Sequence, residues 1–306
     1  MEAVENVLSG VARELDGRLG SEVSRALSSR GKRLRPALLI LCYRAVGGDK
    51  DVSRAAAAVE LVHSAALLHD DVVDHALTRR GRATASAKVG RSLSVVLGNY
   101  LYSRAFRLVP DSDGIKHHLS SATTTMCSGE ALELARRGNV SVSVGEYVHT
   151  AGKKTASLIS ACCSIGASLG RGEVGTANAL GIYGLLLGLA FQIRDDCIDL
   201  SGGTETTGKG SCRDFAERNA TLPLILALPR MADEDKKRVV SMFIGEIQLD
   251  APWLVEKVDR YDGIAESMSL ASEYRDRAVR CLASLEDSKA KESLRLLAMY
   301  SVERDS

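Results

Sequence analysis

Apolar residues recur along this chain with the period of an α-helix. Ile264, Met268, Ala271, Tyr274, Ala278, Leu282 and Leu285 fall at steps of three and four, with Glu, Arg and Asp between them, which predicts an amphipathic helix. Segments 34–46 and 55–74 are apolar on nearly every side, the pattern of helices central to a bundle. Ser143 and Glu146 read as a capping box that opens a helix carrying Lys153 and Lys154. Thr221-Leu222-Pro223 reads as a helix start with proline in the first turn. The one alternating stretch, V-S-V-S-V at 140–144, is short and runs into the capping box, so a loop is expected there. Two stretches look irregular: 75–92, with Arg79, Arg80, Gly81 and Arg82, and 201–220, with four glycines around Lys209. No Pro- or Ser-rich linker and no 20–50-residue repeat divides the chain. The economical expectation is a single all-α domain over 1–306, a large helical bundle around a central cavity.

Composition narrows this picture. The 306 residues are 45% hydrophobic, enough for a sizeable core, and Lys plus Arg total 40 against 39 acids. That near-balance argues against a nucleic-acid partner, which needs a basic surface. Seven cysteines without C-x-x-C spacing suggest reduced thiols in a cytoplasmic protein. The N-terminus lacks a basic region followed by an apolar one, so no signal peptide is expected. The longest uncharged runs, 155–170 and 177–193, fall short of the ~20 apolar residues of a membrane span, so they are read as buried core helices and no transmembrane segment is expected.

Against this background one feature stands out. The apolar run A-L-L-H at 66–69 ends in Asp70, Asp71 and Asp74, and F-Q-I-R at 191–194 ends in Asp195, Asp196 and Asp199. Positions i and i+4 share a helix face, so Asp70 pairs with Asp74 and Asp195 with Asp199. Two unpaired carboxylates one turn apart on a mostly buried helix are unfavourable without a compensating cation. Such oxygen ligands suit magnesium, which binds one or two carboxylates together with substrate phosphates. Two facing motifs would hold a diphosphate between them. A single copy of the motif is as well explained by a solvated acidic helix end; two copies, each closing an apolar helix, are not. A His69-Asp70 metal dyad with His63 leaves the second motif without a role.

Anionic substrates also need cations. Lys32, Arg33 and Arg35 precede a helix that Pro36 helps to start, Arg79 and Arg80 follow the first motif, and Lys154 and Lys209 lie further on. Taken singly, each is better read as solvated surface. Their placement around the acidic motifs makes the case.

In order along the chain, G-K-R-L-R-P at 31–36, E-L-V-H-S-A-A-L-L-H-D-D-V-V-D at 60–74, R-R-G at 79–81, K-T-A-S-L at 154–158, F-Q-I-R-D-D-C-I-D at 191–199, G-K at 208–209 and T-L-P-L-I at 221–225 resemble the motifs of the trans-isoprenyl (polyprenyl) diphosphate synthases. The resemblance implies an all-helical isoprenoid synthase fold, commonly a homodimer, and magnesium-dependent head-to-tail condensation of isopentenyl diphosphate with an allylic diphosphate. It also implies roles by position. Asp70, Asp74, Asp195 and Asp199 resemble the Mg2+ ligands, with Asp71 and Asp196 supporting. Arg79, Lys154 and Lys209 look like the clamp on the allylic diphosphate. Lys32, Arg35, His63 and Arg80 look like the isopentenyl diphosphate pocket, and Thr155 and Gln192 like polar positions at the reacting centre.

The sequence departs from the family pattern at two places. Gly98-Asn99 stands where G-D is common, and Arg218-Asn219-Ala220 precedes Thr221 where G-K-x is common, so a second lysine is missing. These departures keep two alternatives in view: a subunit of a heteromeric synthase with weak activity alone, and a terpene cyclase on the same fold. Cyclases usually replace the second acidic motif, which is complete here.

In short-chain members of the family a bulky aromatic sits four or five residues before the first Asp. Here those positions are Ala66 and Ala65, so the expected product is geranylgeranyl or longer. Val62 and Leu61 lie one turn deeper as a candidate floor, and Tyr100 or Tyr102 could close the channel sooner.

Overall fold

The computed structural model describes residues 1–28, 31–79, 81–110, 113–201 and 212–304. In chain order it forms α1 (Glu2–Arg13), α2 (Gly17–Leu27), α3 (Leu34–Ala45), α4 (Ser53–Val73), β1 (Thr78–Arg79), β2 (Arg82–Ala83), α5 (Ala85–Val89), α6 (Arg91–Leu108) and α7 (Asp113–Arg136). There follow α8 (Val144–Ala151), a π-helical turn (Gly152–Ala156), α9 (Ser157–Leu169), α10 (Val174–Ser201), α11 (Arg213–Ala216) and α12 (Leu222–Ala227). A 3-10 turn (Leu228–Arg230) leads to α13 (Asp233–Ile244), α14 (Ala251–Arg260), α15 (Gly263–Cys281) and α16 (Lys289–Glu303). The described residues are all-α apart from one antiparallel hairpin of two-residue strands, in which Thr78 pairs with Ala83 and Arg79 with Arg82.

The residues divide into two compact units. The first comprises 1–123, 158–181 and 284–294, and the second 124–157, 182–283 and 295–306. In the first unit α4 is the central helix, packed against α1, α2, α3, α5 and α6. Its sequence explains this: Ala55, Ala56, Ala57, Ala58, Val59, Leu61, Val62 and Ala65 are all buried, so most faces are apolar and several are small enough for close approach. Glu60 on the same helix is buried too, and its carboxylate pairs with Arg33 at 2.7 Å. Arg33 adopts a left-handed conformation (φ 49°) before α3, and its guanidinium also bonds Glu5 at 2.7 Å and the Leu27 carbonyl. The second cation of the 31–36 motif therefore ties α1 and α4 together.

The core of the second unit gathers Ala190, Ile193 and Cys197 of α10 against Leu222 and Ile225 of α12, Ala271 of α15 and Val302 of α16. A second cluster joins Phe215, Phe243, Leu254 and Val258.

Several local expectations are met in detail. Ser143 accepts from the Glu146 N–H at 3.2 Å while the Glu146 carboxylate accepts from the Ser143 N–H at 2.9 Å, a complete capping box. Thr221 occupies the N-cap position of α12 without a side-chain capping bond, and Pro223 lies in the first turn. Residues 140–143 are non-helical and without strand. Three expectations are corrected. The helix opened by the capping box does not run straight through its lysines, which sit on the π-turn. The described residues of 75–92 are structured rather than irregular: Gly81 takes φ 72° in the hairpin loop, which favours glycine, and Thr84 caps α5. The 264–285 periodicity outruns its helix, because α15 ends at Cys281 while Leu282 and Leu285 stay buried beyond it.

α10 has the length and hydropathy of a membrane span, yet half of its apolar window is buried inside the protein and its last turns carry the second acidic motif. It is a core helix.

Candidate active site

The first acidic motif closes α4. Asp70 and Asp74 are half-buried, and the Asp74 N–H still donates to the Asp70 carbonyl at 2.8 Å, so helical spacing persists to the last turn and the two carboxylates share a face. By the same 3.6-residue period His63 and Ala66 lie on that face, whereas Ala65 lies on the far side, where it is completely buried. Val62 is also fully buried.

Asp71 points elsewhere. It is 5% exposed and accepts from Arg79 Nε at 2.6 Å, anchoring the hairpin to α4. A cavity of about 110 Å³ lies beside this pair, lined among others by Arg25, Leu67, Arg82 and Thr84. His69 Nε2 lies 3.1 Å from the Val95 carbonyl, and its ring centroid is 5.6 Å from that of Tyr102. The ring occupies the space over Gly98, where any Cβ would overlap it. His69 thus packs between α4 and α6. Tyr100 donates to the Val11 carbonyl at 3.0 Å, which commits its hydroxyl to α1. Lys32 precedes α3 and Arg35 lies in its first turn, and Arg80 lies outside the described residues.

The second acidic motif lies inside α10, in the other unit. Asp195 accepts from Arg304 Nη2 at 2.6 Å, and that guanidinium sits 3.7 Å above the Phe191 ring centroid. Asp196 is buried and takes two hydrogen bonds, from the Tyr147 hydroxyl at 2.6 Å and from Gln192 Nε2 at 2.8 Å. Gln192 Oε1 in turn accepts from Thr155 Oγ1 at 2.7 Å. Asp199 accepts from the Asp214 N–H at 3.1 Å. Burial pushes Asp196 up to about 7 against its two hydrogen bonds, and burial likewise raises Asp199 and, strongly, Asp214. A divalent cation bound beside carboxyls raised by burial in this way would favour their charged state.

Among the described residues no three His, Cys, Asp or Glu side chains converge to hold an ion unaided. Magnesium takes one or two carboxylates plus substrate oxygens, so the Asp70/Asp74 and Asp195/Asp199 pairs fit it on those terms.

Lys154 sits on the π-turn, a feature that often marks functional positions. Its ammonium pairs with Glu130 at 2.8 Å and with Glu133. Burial opposes its charge, but the two glutamates outweigh burial and raise its pKa, which favours the charged ammonium. Gly129 makes this possible, since a Cβ there would collide with the Lys154 backbone. Lys154, Thr155, Gln192 and Asp196 line one cavity of about 140 Å³. Lys209 lies outside the described residues.

Sequence reasoning missed Tyr147, Glu130, Glu133, Asp214 and Arg304. Only the glutamates left a signal, two acids three apart in G-E-A-L-E at 129–133. The others are brought in by tertiary packing.

Residues 18–250 match the polyprenyl synthetase family model. A short chain isoprenyl diphosphate synthase of Methanothermobacter thermautotrophicus is 35% identical over 91% of this chain and 88% of its own. Heptaprenyl diphosphate synthase component 2 of Geobacillus stearothermophilus is 32% identical over 100% of this chain and 96% of its own. Among solved structures, polyprenyl synthase from Caulobacter crescentus, complexed with calcium and isoprenyl diphosphate, superposes with a TM-score of 0.92 at 33% identity, covering 100% of this chain and 95% of that one.

Proposed function

This chain belongs to the polyprenyl synthetase family and is a trans-prenyltransferase, and from that premise we propose that it condenses isopentenyl diphosphate with an allylic diphosphate, using magnesium, to a geranylgeranyl or longer all-trans product. We assign the metal to Asp70, Asp74, Asp195 and Asp199, and read the whole chain as one catalytic domain in which both acidic motifs act on the same diphosphate. When bound there, magnesium supplies Lewis-acid stabilisation of the charge that grows on the departing diphosphate.

The chain's own residues do the rest. Lys154, its charged form favoured by two glutamates, offers an ammonium to the same oxygens as the allylic C–O bond breaks. The Thr155–Gln192–Asp196–Tyr147 chain of hydrogen bonds holds oriented dipoles beside the reacting carbon. Lys32, Arg35, His63 and Arg80 hold isopentenyl diphosphate, and Arg79 and Lys209 complete the allylic clamp. The double bond of isopentenyl diphosphate then attacks the allylic cation, and the proton released passes to the free diphosphate. The apolar face of α4 below Asp70 keeps water from the cation and accepts the growing chain, with half-buried Ala66 leaving room.

The observation that carries this reading is the placement of Lys154 with Thr155, Gln192 and Asp196 around one cavity. The test is chromatography of products from the purified chain with labelled isopentenyl diphosphate, geranyl or farnesyl diphosphate, and magnesium. Absence of any elongated product from the folded protein would refute it.

We further propose a homodimer in the cytoplasm. The exposed face of α6 carries Ser92, Val95, Val96, Asn99 and Ser103, an uncharged stretch bounded by exposed Arg91 and Arg107, and this stretch suits a second copy. None of the seven cysteines is in a disulfide. The likeness to heptaprenyl synthase component 2 supports a second reading, a heteromer subunit with weak activity alone. Product formation by the lone chain at ordinary rates would exclude it.

A further inference from the structure

We propose that Arg136, with Asn219, forms part of the diphosphate-binding wall in this chain and takes the place of the lysine that Asn219 replaces. The inference rests on the prenyltransferase reading above. Arg136 ends α7 and lines the same cavity as Lys154, Asp196 and Asn219. Its Nη1 is fully used: it donates to the Glu146 carbonyl at 2.9 Å and to Thr150 Oγ1 at 2.6 Å, which fixes the guanidinium against α8.

Nε and Nη2 make no hydrogen bond among the described residues, and Nη2 stands 3.5 Å from Glu146 Oε1 in a loose ion pair. The Asn219 side chain likewise makes no hydrogen bond among the described residues, while its backbone N–H is tied to the Asp214 carbonyl at 2.8 Å. Lys154 differs, being already engaged by two glutamates. The cavity therefore presents a pre-oriented arginine fork with spare donors and an amide beside it, a match to the oxygens of a diphosphate. Glu133, Asp196 and Asp214 line the cavity too, so a bare anion would meet acids as well as cations. A diphosphate arriving as a magnesium complex offers a cation to those acids and oxygens to Arg136 and Asn219.

The test compares wild type with Arg136→Gln, Asn219→Lys and the double variant. Two readouts are taken: KM for geranyl diphosphate and for isopentenyl diphosphate, and the calorimetric Kd of inorganic diphosphate with magnesium. Arg136→Gln is expected to raise the geranyl diphosphate KM and the diphosphate Kd about tenfold or more, with the isopentenyl diphosphate KM within twofold. Asn219→Lys restores both in the double variant, because it returns a cation to the same wall. An arginine that merely ties α7 to α8 would show no such rescue, and a folded Arg136→Gln protein that Asn219→Lys fails to rescue overturns the proposal. So does an Arg136→Gln protein with unchanged Kd and KM. If Arg136→Gln does not fold, Asn219→Lys alone decides: tighter diphosphate binding supports the wall, and unchanged binding overturns it. A wild type that binds diphosphate through Arg136 yet makes no product would defeat the prenyltransferase reading and leave this one standing.

Discussion

Replacing Lys154 by glutamine separates two things the side chain does. The ammonium stands 2.8 Å from Glu130 and also pairs with Glu133, with 27%, 19% and 28% of the three side chains exposed. Removing one partner of a buried ion pair costs about 3–5 kcal/mol, because the other charge is left uncompensated. Exposure of about a quarter lowers that, so Lys154→Gln should cost about 1–3 kcal/mol. At roughly 2–4 °C per kcal/mol for a large domain, the Tm falls by about 2–12 °C. Loss of a preorganised charge at the departing diphosphate should also lower kcat by about 10²–10³-fold.

The two effects are untangled by adding Glu130→Gln and Glu133→Gln. The triple variant has no stranded carboxylates, so its Tm should recover most of the loss, while kcat stays low. Thermal unfolding followed by calorimetry and initial rates of labelled isopentenyl diphosphate incorporation measure the two quantities. If the triple variant regained activity along with stability, Lys154 would be a scaffold for α7 and not a partner of the substrate. If Lys154→Gln kept kcat within about threefold, the ammonium would not act on the leaving diphosphate.

Other substitutions probe different parts of the molecule. Ala66→Phe places a ring on the Asp70 face of α4 and should shorten the main product by at least one isoprene unit, read by reversed-phase chromatography; an unchanged product distribution would refute the channel assignment. Arg33→Met leaves buried Glu60 without its countercharge and should destabilise the protein by about 3 kcal/mol in urea unfolding, largely reversed by adding Glu60→Met; a loss below about 1 kcal/mol would contradict the buried-pair account. The Ser143 N–H and hydroxyl hold the Glu146 carboxylate below its ordinary pKa, so the capping box contributes stability above the ordinary glutamate value and loses it as pH falls through the lowered one. An NMR titration of the Glu146 side chain giving an unshifted value would show that the box is not formed in solution.

The helices, the capping box, the proline at the start of α12 and the i, i+4 spacing of both acidic motifs were legible in the sequence, because each is set by residues within four positions of one another. The all-α class followed from the same periodicity. The π-turn under Lys154 was not legible, nor was the close approach of Gly129 to its backbone, which tertiary packing brings about. Nor were the partners: Arg33 meeting Glu5 and Glu60, Asp71 meeting Arg79 across a hairpin, Asp195 meeting Arg304 more than a hundred residues away, and Lys154 meeting Glu130 and Glu133. Helical period alone puts Ala66 on the Asp70 face and Ala65 opposite, but only the packed helix shows Ala65 completely buried and Ala66 half-buried. Local periodicity decides which residues share a helix face, whereas the pairing of charges and the burial of each face depend on neighbours that only the folded chain brings into contact.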